Sequence, residues 1–270
     1  MRAAFHPDMP DAEYRALPGL SGTGIVKLLN SPAIYRDSVD EPSEPGEAQR
    51  RGTVIHAAVL GSDMPTEFTD RWATLSGEAS KKWARDCDER GVLPALSVWP
   101  VEAMVAALAA SAEASEVLAE GHSELTVTWE REGVPMKGRI DRLTNRVVDL
   151  KTISTRGDDM LTACNKAIGS YGTHAQLMHY SSGVDAVTGA VAALAPVLVY
   201  VESEFPHRVA VIELSETDMA QGYEMCLEAY RRYADCTEAD NWPAMSPEGV
   251  TTSHIPAWAA RSWDRALGKI

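Results

Sequence analysis

The sequence predicts an α/β domain: an antiparallel three-stranded meander flanked by helices, with a mainly helical N-terminal part. Three observations carry this. Apolar residues recur at helical spacing up to about residue 120, the period switches to two from Ser123, and helical and strand patterns alternate from Asp158 onward. The chain has 270 residues, 45% hydrophobic and 24% charged. That length buries a sizeable core without staples, and that composition excludes disordered, collagenous and coiled-coil chains.

Ser21 is placed to cap a first helix carrying Ile25, Leu28 and Leu29, and Ser31-Pro32 reads as the cap and first position of a second. Residues 38–47 are a polar, proline-containing loop. Helical pattern resumes from Ala48 to Leu60, with Val54, Ile55, Ala58 and Val59 apolar, and Gly61 stops it. Two further helices cover Lys81 to Glu89 and Val101 to Ala119.

From Ser123 onward Leu125, Val127 and Trp129 alternate with Thr126, Thr128 and Glu130, the signature of a half-buried strand. Glu132-Gly133 turns the chain into a second strand, Val134 to Leu143, and Thr144-Asn145 into a third, Val147 to Lys151. Helices follow at Asp158 to Ile168 and Thr173 to about Val187. Strands Ala193 to Glu202 and Arg208 to Leu214 come next, then a helix from Glu216 to about Ala234 opened by Ser215. The organisation expected is one domain over 1–270: a mainly helical part at 1–120, a core at 121–235 and a tail at 236–270.

No stretch approaches the roughly 18 apolar residues of a membrane span, and Met1 to Pro10 lacks the apolar core of a signal peptide, so a soluble cytoplasmic protein is expected. Cys87, Cys164, Cys226 and Cys236 are far apart with no C-x-x-C pair, and read as plain thiols.

The net charge of −14 argues against a general nucleic-acid coat protein, which needs Lys and Arg to neutralise phosphate. That charge is unevenly spread. Residues 201–255 hold 11 acidic and 3 basic side chains, whereas residues 137–166 hold 7 basic against 4 acidic. The locally basic segment also contains the densest chemistry. Gly138-Arg139-Ile140-Asp141 is followed by Val147-Val148-Asp149-Leu150-Lys151, so Asp141 and Asp149 lie on adjacent strands and can converge at one edge of the sheet. Two such carboxylates repel unless a cation lies between them, and hard oxygen ligands suit Mg²⁺ or Mn²⁺. Lys151 shares a strand face with Asp149, beside that cation. A lysine there can orient or deprotonate water and stabilise charge on a phosphate under attack, the layout for metal-assisted phosphodiester hydrolysis.

Three further pieces fit. Glu124 opens the first strand of the meander, with Glu130 and Glu132 as alternatives for a third carboxylate. His56 shares a helix face with Gly52 and Leu60 and reads either as a satisfied core histidine or as a metal ligand. Gly52, one turn away, would let that helix approach the sheet closely. Gln176 and Tyr180 project together at i and i+4, and alone read as ordinary surface polar residues.

In this order, Gly52-x-x-x-His56, Glu124, Gly138-Arg139-Ile140-Asp141, Asp149-Leu150-Lys151 and Gln176-x-x-x-Tyr180 resemble the RecB-type branch of the PD-(D/E)xK nuclease superfamily. Leu17 to Arg36, LPGLSGTGIVKLLNSPAIYR, is similar to the opening of RecE-like (exodeoxyribonuclease VIII) phage and prophage exonucleases. The resemblance runs from about Asp11 to about Ala234. It implies a PD-(D/E)xK nuclease core with a central mixed sheet. It further implies that His56, Glu124, Asp141, Asp149 and the Leu150 carbonyl surround one or two Mg²⁺ ions, with Mn²⁺ able to substitute. Lys151 would be the catalytic lysine, while Gln176 and Tyr180 hold it and the DNA backbone. Arg139 and Arg142 are the expected DNA contacts.

By the same resemblance the expected substrate is linear double-stranded DNA, digested 5′ to 3′ in the host bacterial cytoplasm. A 3′ single-stranded tail would be left for a RecT-like annealing protein, and the enzyme would be a ring-shaped homo-oligomer. Some relatives hold an iron-sulfur cluster on four cysteines, three of them near the C-terminus. Here Cys226 and Cys236 are the only C-terminal pair, so no cluster is expected. An endonuclease of the same fold and a non-catalytic DNA-end-binding module are the other readings.

Overall fold

The computed structural model describes residues 2–41, 43–61, 66–69, 78–189, 195–246 and 249–269. In chain order the strands are β1 (Ala4–His6), β2 (Thr66–Thr69), β3 (Leu93–Leu96), β4 (His122–Arg131), β5 (Val134–Leu143), β6 (Val147–Ile153), β7 (Val197–Glu202) and β8 (Val209–Glu213). The helices are α1 (Asp11–Ala16), α2 (Gly22–Asn30), α3 (Pro32–Asp40), α4 (Glu47–Leu60), α5 (Glu78–Glu89), α6 (Val101–Ala110), α7 (Ala112–Ala119), α8 (Met160–Tyr171), α9 (Thr173–Thr188), α10 (Glu216–Ala239) and α11 (Ala257–Ala266).

The expected meander is present. Glu132 and Gly133 both take positive φ, +54° and +81°, the backbone of a tight hairpin turn between β4 and β5. After β6 the chain crosses through α8 and α9 and returns as β7, parallel to β6. With β8 antiparallel to β7 and β1 antiparallel to β4, the result is a six-stranded mixed sheet ordered β1-β4-β5-β6-β7-β8.

Period-two alternation sorts the side chains between two layers. On β7, Leu198 and Tyr200 join the core made with α2, α3, α8, α9 and α10, while Val197, Val199 and Val201 face α4, α6 and α7. A strand covered on both faces reads as a continuous apolar run, as Val197–Tyr200 does. On β6, Val147 and Ile153 belong to the first core, and Val148 and Leu150 to the second. Asp149 and Lys151 are in phase with Val147 and Ile153 and therefore point to the α8–α9 side.

Several boundaries differ from expectation for local reasons. The helix expected over Val101–Ala119 divides at Ser111, whose hydroxyl accepts from Ala114 N at 3.2 Å and restarts the chain as α7. Asp159 caps α8 in the same way, delaying it from Asp158 to Met160. The loop expected from residue 38 begins later, because α3 runs to Asp40, and α10 continues past Ala234 to Ala239. The tail contains α11. Strand β7 starts at Val197; the expected strand's first residues, 193 and 194, lie outside the described residues. Thr126 and Thr128, expected on a wet face, are buried. The three residues of β1, too short for a period-two signal, cover that edge, and His6 Nε2 hydrogen-bonds Thr128 Oγ1 at 2.8 Å.

The loops leaving β6 and β7 are fastened by a charged cluster. Glu202 is buried; its carboxylate accepts from Arg208 Nη2 at 2.7 Å and Nε at 2.8 Å, and from the Thr155 hydroxyl at 2.7 Å. The Arg208 hydrogen bonds, against the opposing effect of burial, hold the Glu202 carboxyl down at about 2 from its ordinary 4.5. A depressed carboxyl stabilises the fold above its ordinary value, and that contribution is lost as pH falls through 4.5 toward 2. Arg208→Ala is therefore expected to lower stability in urea unfolding at pH 7, with the gap to wild type closing as pH falls through that window.

Candidate active site

The site begins where β5 and β6 part. The two strands pair only at Leu143 with Val147 and Arg142 with Val148. The next pair, Asp141 with Asp149, does not form. In a strand the N–H and C=O of one residue point to the same side, so the departure of β5 orphans both backbone groups of Leu150. Side chains replace the missing ladder. Asp141 Oδ2 accepts from Leu150 N at 2.8 Å, and His56 Nε2, reaching in from α4, lies 2.7 Å from the Leu150 carbonyl. Facing a carbonyl, that nitrogen carries the hydrogen and donates.

A backbone kink accompanies the parting. Glu124, opposite Asp141, takes φ +48°, a left-handed conformation costly for a side chain with a Cβ. At the same level the alternation of β5 slips by one: Ile140 faces the α8–α9 core, and so does Leu143, three residues on. The slip turns Glu124 and Asp141 toward His56. His56 Nδ1 is 3.7 Å from Glu124 Oε1 and 3.7 Å from Asp141 Oδ1. Ligand atoms of these three residues all lie within 4.8 Å of one another, a grouping that could hold a metal ion.

The electrostatics follow from burial against charge. Burial alone would push the His56 imidazole down, but the Asp141 charge and the Glu124 carboxylate 3.7 Å away outweigh it and raise it to about 9. Burial raises the Asp141 carboxyl to about 6, assisted by Asp149 and opposed by His56 and Lys151. Glu124 is lowered, because the His56 imidazole 3.7 Å away and the hydrogen bond from Arg139 overcome its burial.

Asp149 is not in the three-residue grouping. It points to the other side of the sheet, 1% exposed, with Lys151 Nζ 2.6 Å from its Oδ2. That contact is an ion pair without good hydrogen-bond alignment, and neither carboxylate oxygen has an aligned donor. Burial would lower the Lys151 ammonium, but Asp149 and Asp141 outweigh it and raise it, so lysine is held protonated. Two buried carboxylate oxygens without donors, next to a His-Glu-Asp grouping, suit a divalent cation with hard oxygen ligands and one imidazole.

Gln176 and Tyr180 are not the surface pair that their types suggest. Tyr180 is buried, and Gln176 Nε2 donates to its hydroxyl at 2.7 Å. Two glycines make room for them. A Cβ on Gly138 would lie 2.9 Å from Tyr180 Cδ1, and one on Gly22 would lie 2.9 Å from Gln176 Cγ. Gly138→Ala is thus expected to destabilise the protein by about 1–3 kcal/mol, measured by thermal unfolding, and to displace the Tyr180 ring beside Asp149. Gly52 has no such role: a Cβ there meets nothing within 4 Å.

Both arginines are engaged inside the protein. Arg139 Nε donates to Glu124 Oε2 at 2.8 Å and Nη1 to the Met9 carbonyl at 2.9 Å, with its guanidinium 5.8 Å from the Tyr14 ring centroid. Arg142 binds the Ala119 carbonyl at 2.6 Å and the Ser123 hydroxyl. Sequence reasoning missed Met9 and Tyr14. The arm that carries them is a short polar segment, and it becomes relevant only because β1 and α1 lie along β4 and β5. Lys137 completes the attachment: its ammonium sits on the carbonyls of Tyr14, Arg15 and Leu17 at the end of α1.

With this geometry in view, residues 21–251 match the family described as "PDDEXK-like domain of unknown function (DUF3799)". The chain belongs to this PDDEXK-like family. A crystal structure of a protein from Eubacterium rectale, provisionally named an exonuclease, is similar at 12% identity with a TM-score of 0.63, covering 94% of this chain and 98% of that one. At that identity it shows a shared fold. A phage-related exonuclease from Haemophilus somnus 129PT is similar at 11% identity over 83% of this chain and 97% of that one, with a TM-score of 0.36. No curated protein matches the chain. The six-stranded mixed sheet with its flanking helices is thus a PDDEXK-like fold, and His56, Glu124 and Asp141 are its candidate metal-binding group. Among the described residues no helix is long and apolar enough to cross a membrane. All four cysteines are buried free thiols.

Proposed function

We propose that this protein is a Mg²⁺-dependent exonuclease that digests linear double-stranded DNA from its 5′ ends and leaves 3′ tails for annealing-type recombination. The observation that carries the reading is the grouping of His56, Glu124 and Asp141 within 4.8 Å beside the Asp149–Lys151 pair, inside a PDDEXK-like fold. The exonuclease assignment, its direction and a RecT-like consumer of the tails rest on the RecE-like opening at Leu17 to Arg36. The name of the Eubacterium rectale protein agrees with the first of these. A ring-shaped homo-oligomer follows from the same resemblance.

His56 offers Nδ1, with Nε2 anchored on the Leu150 carbonyl; a hydrogen-bonded second ring nitrogen is the usual support of a ligating histidine. Glu124 and Asp141 supply oxygens, and Asp149 a further carboxylate from the opposite side of the β5–β6 gap. The remaining lone pair of the Leu150 carbonyl is available to the same ion. When bound, Mg²⁺ or Mn²⁺ supplies Lewis acidity at the scissile phosphate and a more acidic water. Lys151, held as an ammonium, orients that water and stabilises the charge gathering on the phosphate rather than taking a proton. Arg139 fixes Glu124, and Arg142 fixes the start of β4, so both act through the frame of the site. Gln176 and Tyr180 line the Asp149 side, where the DNA backbone would lie.

A covalently closed circle is expected to resist digestion in Mg²⁺, while the same DNA once linearised is degraded to nucleotides. Cutting of the closed circle would make the protein an endonuclease, and binding of ends without any cleavage would make it a non-catalytic module.

A further inference from the structure

The loop between β7 and β8 presents a single aromatic ring to solvent from a heavily anchored backbone. Phe205, one of three phenylalanines in the chain, is 89% exposed. Lone exposed apolar residues are common and need no explanation on soluble proteins. The surroundings of this one are different. Ser203 N donates to the Ile153 carbonyl at 2.8 Å, Glu202 N to the Arg208 carbonyl at 2.9 Å, and His207 N to the Glu204 carbonyl at 2.8 Å. His207 Nδ1 lies 3.0 Å from the Glu202 carbonyl, and the buried Glu202 carboxylate binds Thr155 and Arg208. His207 is itself buried, takes φ +60°, and sets its ring edge-on to Phe205 with centroids 6.4 Å apart. The loop thus has little freedom, and it holds an apolar ring out of the core.

Its position is close to the site. The loop follows the carboxyl end of β7 and is bonded to Ile153, two residues and so about 7 Å along β6 from Lys151. Ligands of open α/β sheets gather at the carboxyl ends of parallel strands. The neighbouring loop after β6 carries the exposed Arg156, so a guanidinium group accompanies the ring.

We propose that Phe205, edge-supported by His207, is a stacking platform for an unpaired base of the DNA strand engaged at the site. This inference rests on the nuclease reading above. A base offers a flat π-face to any aromatic ring, so the platform is indifferent to sequence. Arg156 provides charge for the adjoining phosphates.

The test uses the full chain with Ca²⁺ in place of Mg²⁺ and a linear duplex ending in a short single-stranded extension that carries 2-aminopurine. In wild type, binding is expected to quench the 2-aminopurine fluorescence. In Phe205→Ala the quenching is lost and the Kd for a single-stranded oligonucleotide rises about tenfold. Phe205→Trp restores both, and hydrolysis of a p-nitrophenyl phosphodiester of thymidine in Mn²⁺ is unchanged in all three proteins. Equal quenching and equal Kd in Phe205→Ala and wild type overturn the platform. Absence of any hydrolysis by wild type in Mg²⁺ or Mn²⁺ overturns the nuclease reading instead, so the two failures are distinct. Phe205 is exposed enough that its replacement leaves the fold intact.

Discussion

Lys151→Ala is expected to slow linear-duplex digestion by roughly 10³-fold, the scale of losing one preorganised charge at a developing anion. The reason lies in the pairing within β6. Lys151 Nζ sits 2.6 Å from a carboxylate that is 1% exposed, and the neighbouring acids keep it an ammonium. Truncation also leaves the Asp149 charge buried without its partner, which costs about 3–5 kcal/mol in the metal-free protein. Circular dichroism and thermal unfolding separate a folded, inactive variant from an unfolded one. Lys151→Arg provides the control: it keeps the charge and the fold, and loses at least about tenfold in rate because a planar guanidinium does not occupy the position of an ammonium.

Asp141→Asn is expected to produce opposite effects on activity and on metal-free stability. Digestion falls by roughly 10³-fold, since one of the three proposed metal ligands loses its charge. Without divalent ions the variant is more stable than wild type, by on the order of 1–2 kcal/mol. Burial, with Asp149 adding to it, raises the Asp141 carboxyl to about 6, so at neutral pH wild type carries the cost of keeping that group ionised. The amide keeps an oxygen for Leu150 N. Saturating Mn²⁺ is expected to raise the wild-type unfolding temperature, because a ligand held by the native state alone stabilises it, and to leave that of Asp141→Asn unmoved. A variant less stable than wild type in EDTA would show that Asp141 serves the fold before the metal.

Much of this architecture was legible in the sequence because local signals carried it. Period-two alternation at Leu125, Val127 and Trp129 marked β4, and capping at Ser21, Ser31 and Ser215 set three helix starts that the structure reproduces. What stayed hidden depends on pairings between distant segments. Nothing in Val147–Lys151 announces that β6 leaves β5 after two pairs and continues against β7, yet that parting is what orphans Leu150 and draws in Asp141 and His56. Adjacent strands suggested that Asp141 and Asp149 converge as one cluster. The phase slip opposite Glu124 instead groups Asp141 with His56 and leaves Asp149 with Lys151 on the α8–α9 side.

The same distinction applies to individual residues. A Gln-x-x-x-Tyr spacing reads as a surface pair until Gly22 and Gly138 are seen to admit it to the interior. For Arg139 and Arg142 only the charge is visible in a sequence, whereas their internal partners, the Met9 and Ala119 carbonyls, come from segments brought in by the fold. The net charge of −14, by contrast, resolves from the sequence alone into an acidic stretch at 201–255 and the basic segment that carries the site.

The most direct measurement is nucleotide release from linear duplex DNA labelled at the 5′ or the 3′ end, in Mg²⁺ and in EDTA. Early release of the 5′ label and late release of the 3′ label are expected in Mg²⁺, with no release in EDTA. Release undiminished by EDTA, or none in either Mg²⁺ or Mn²⁺, would contradict the proposed function.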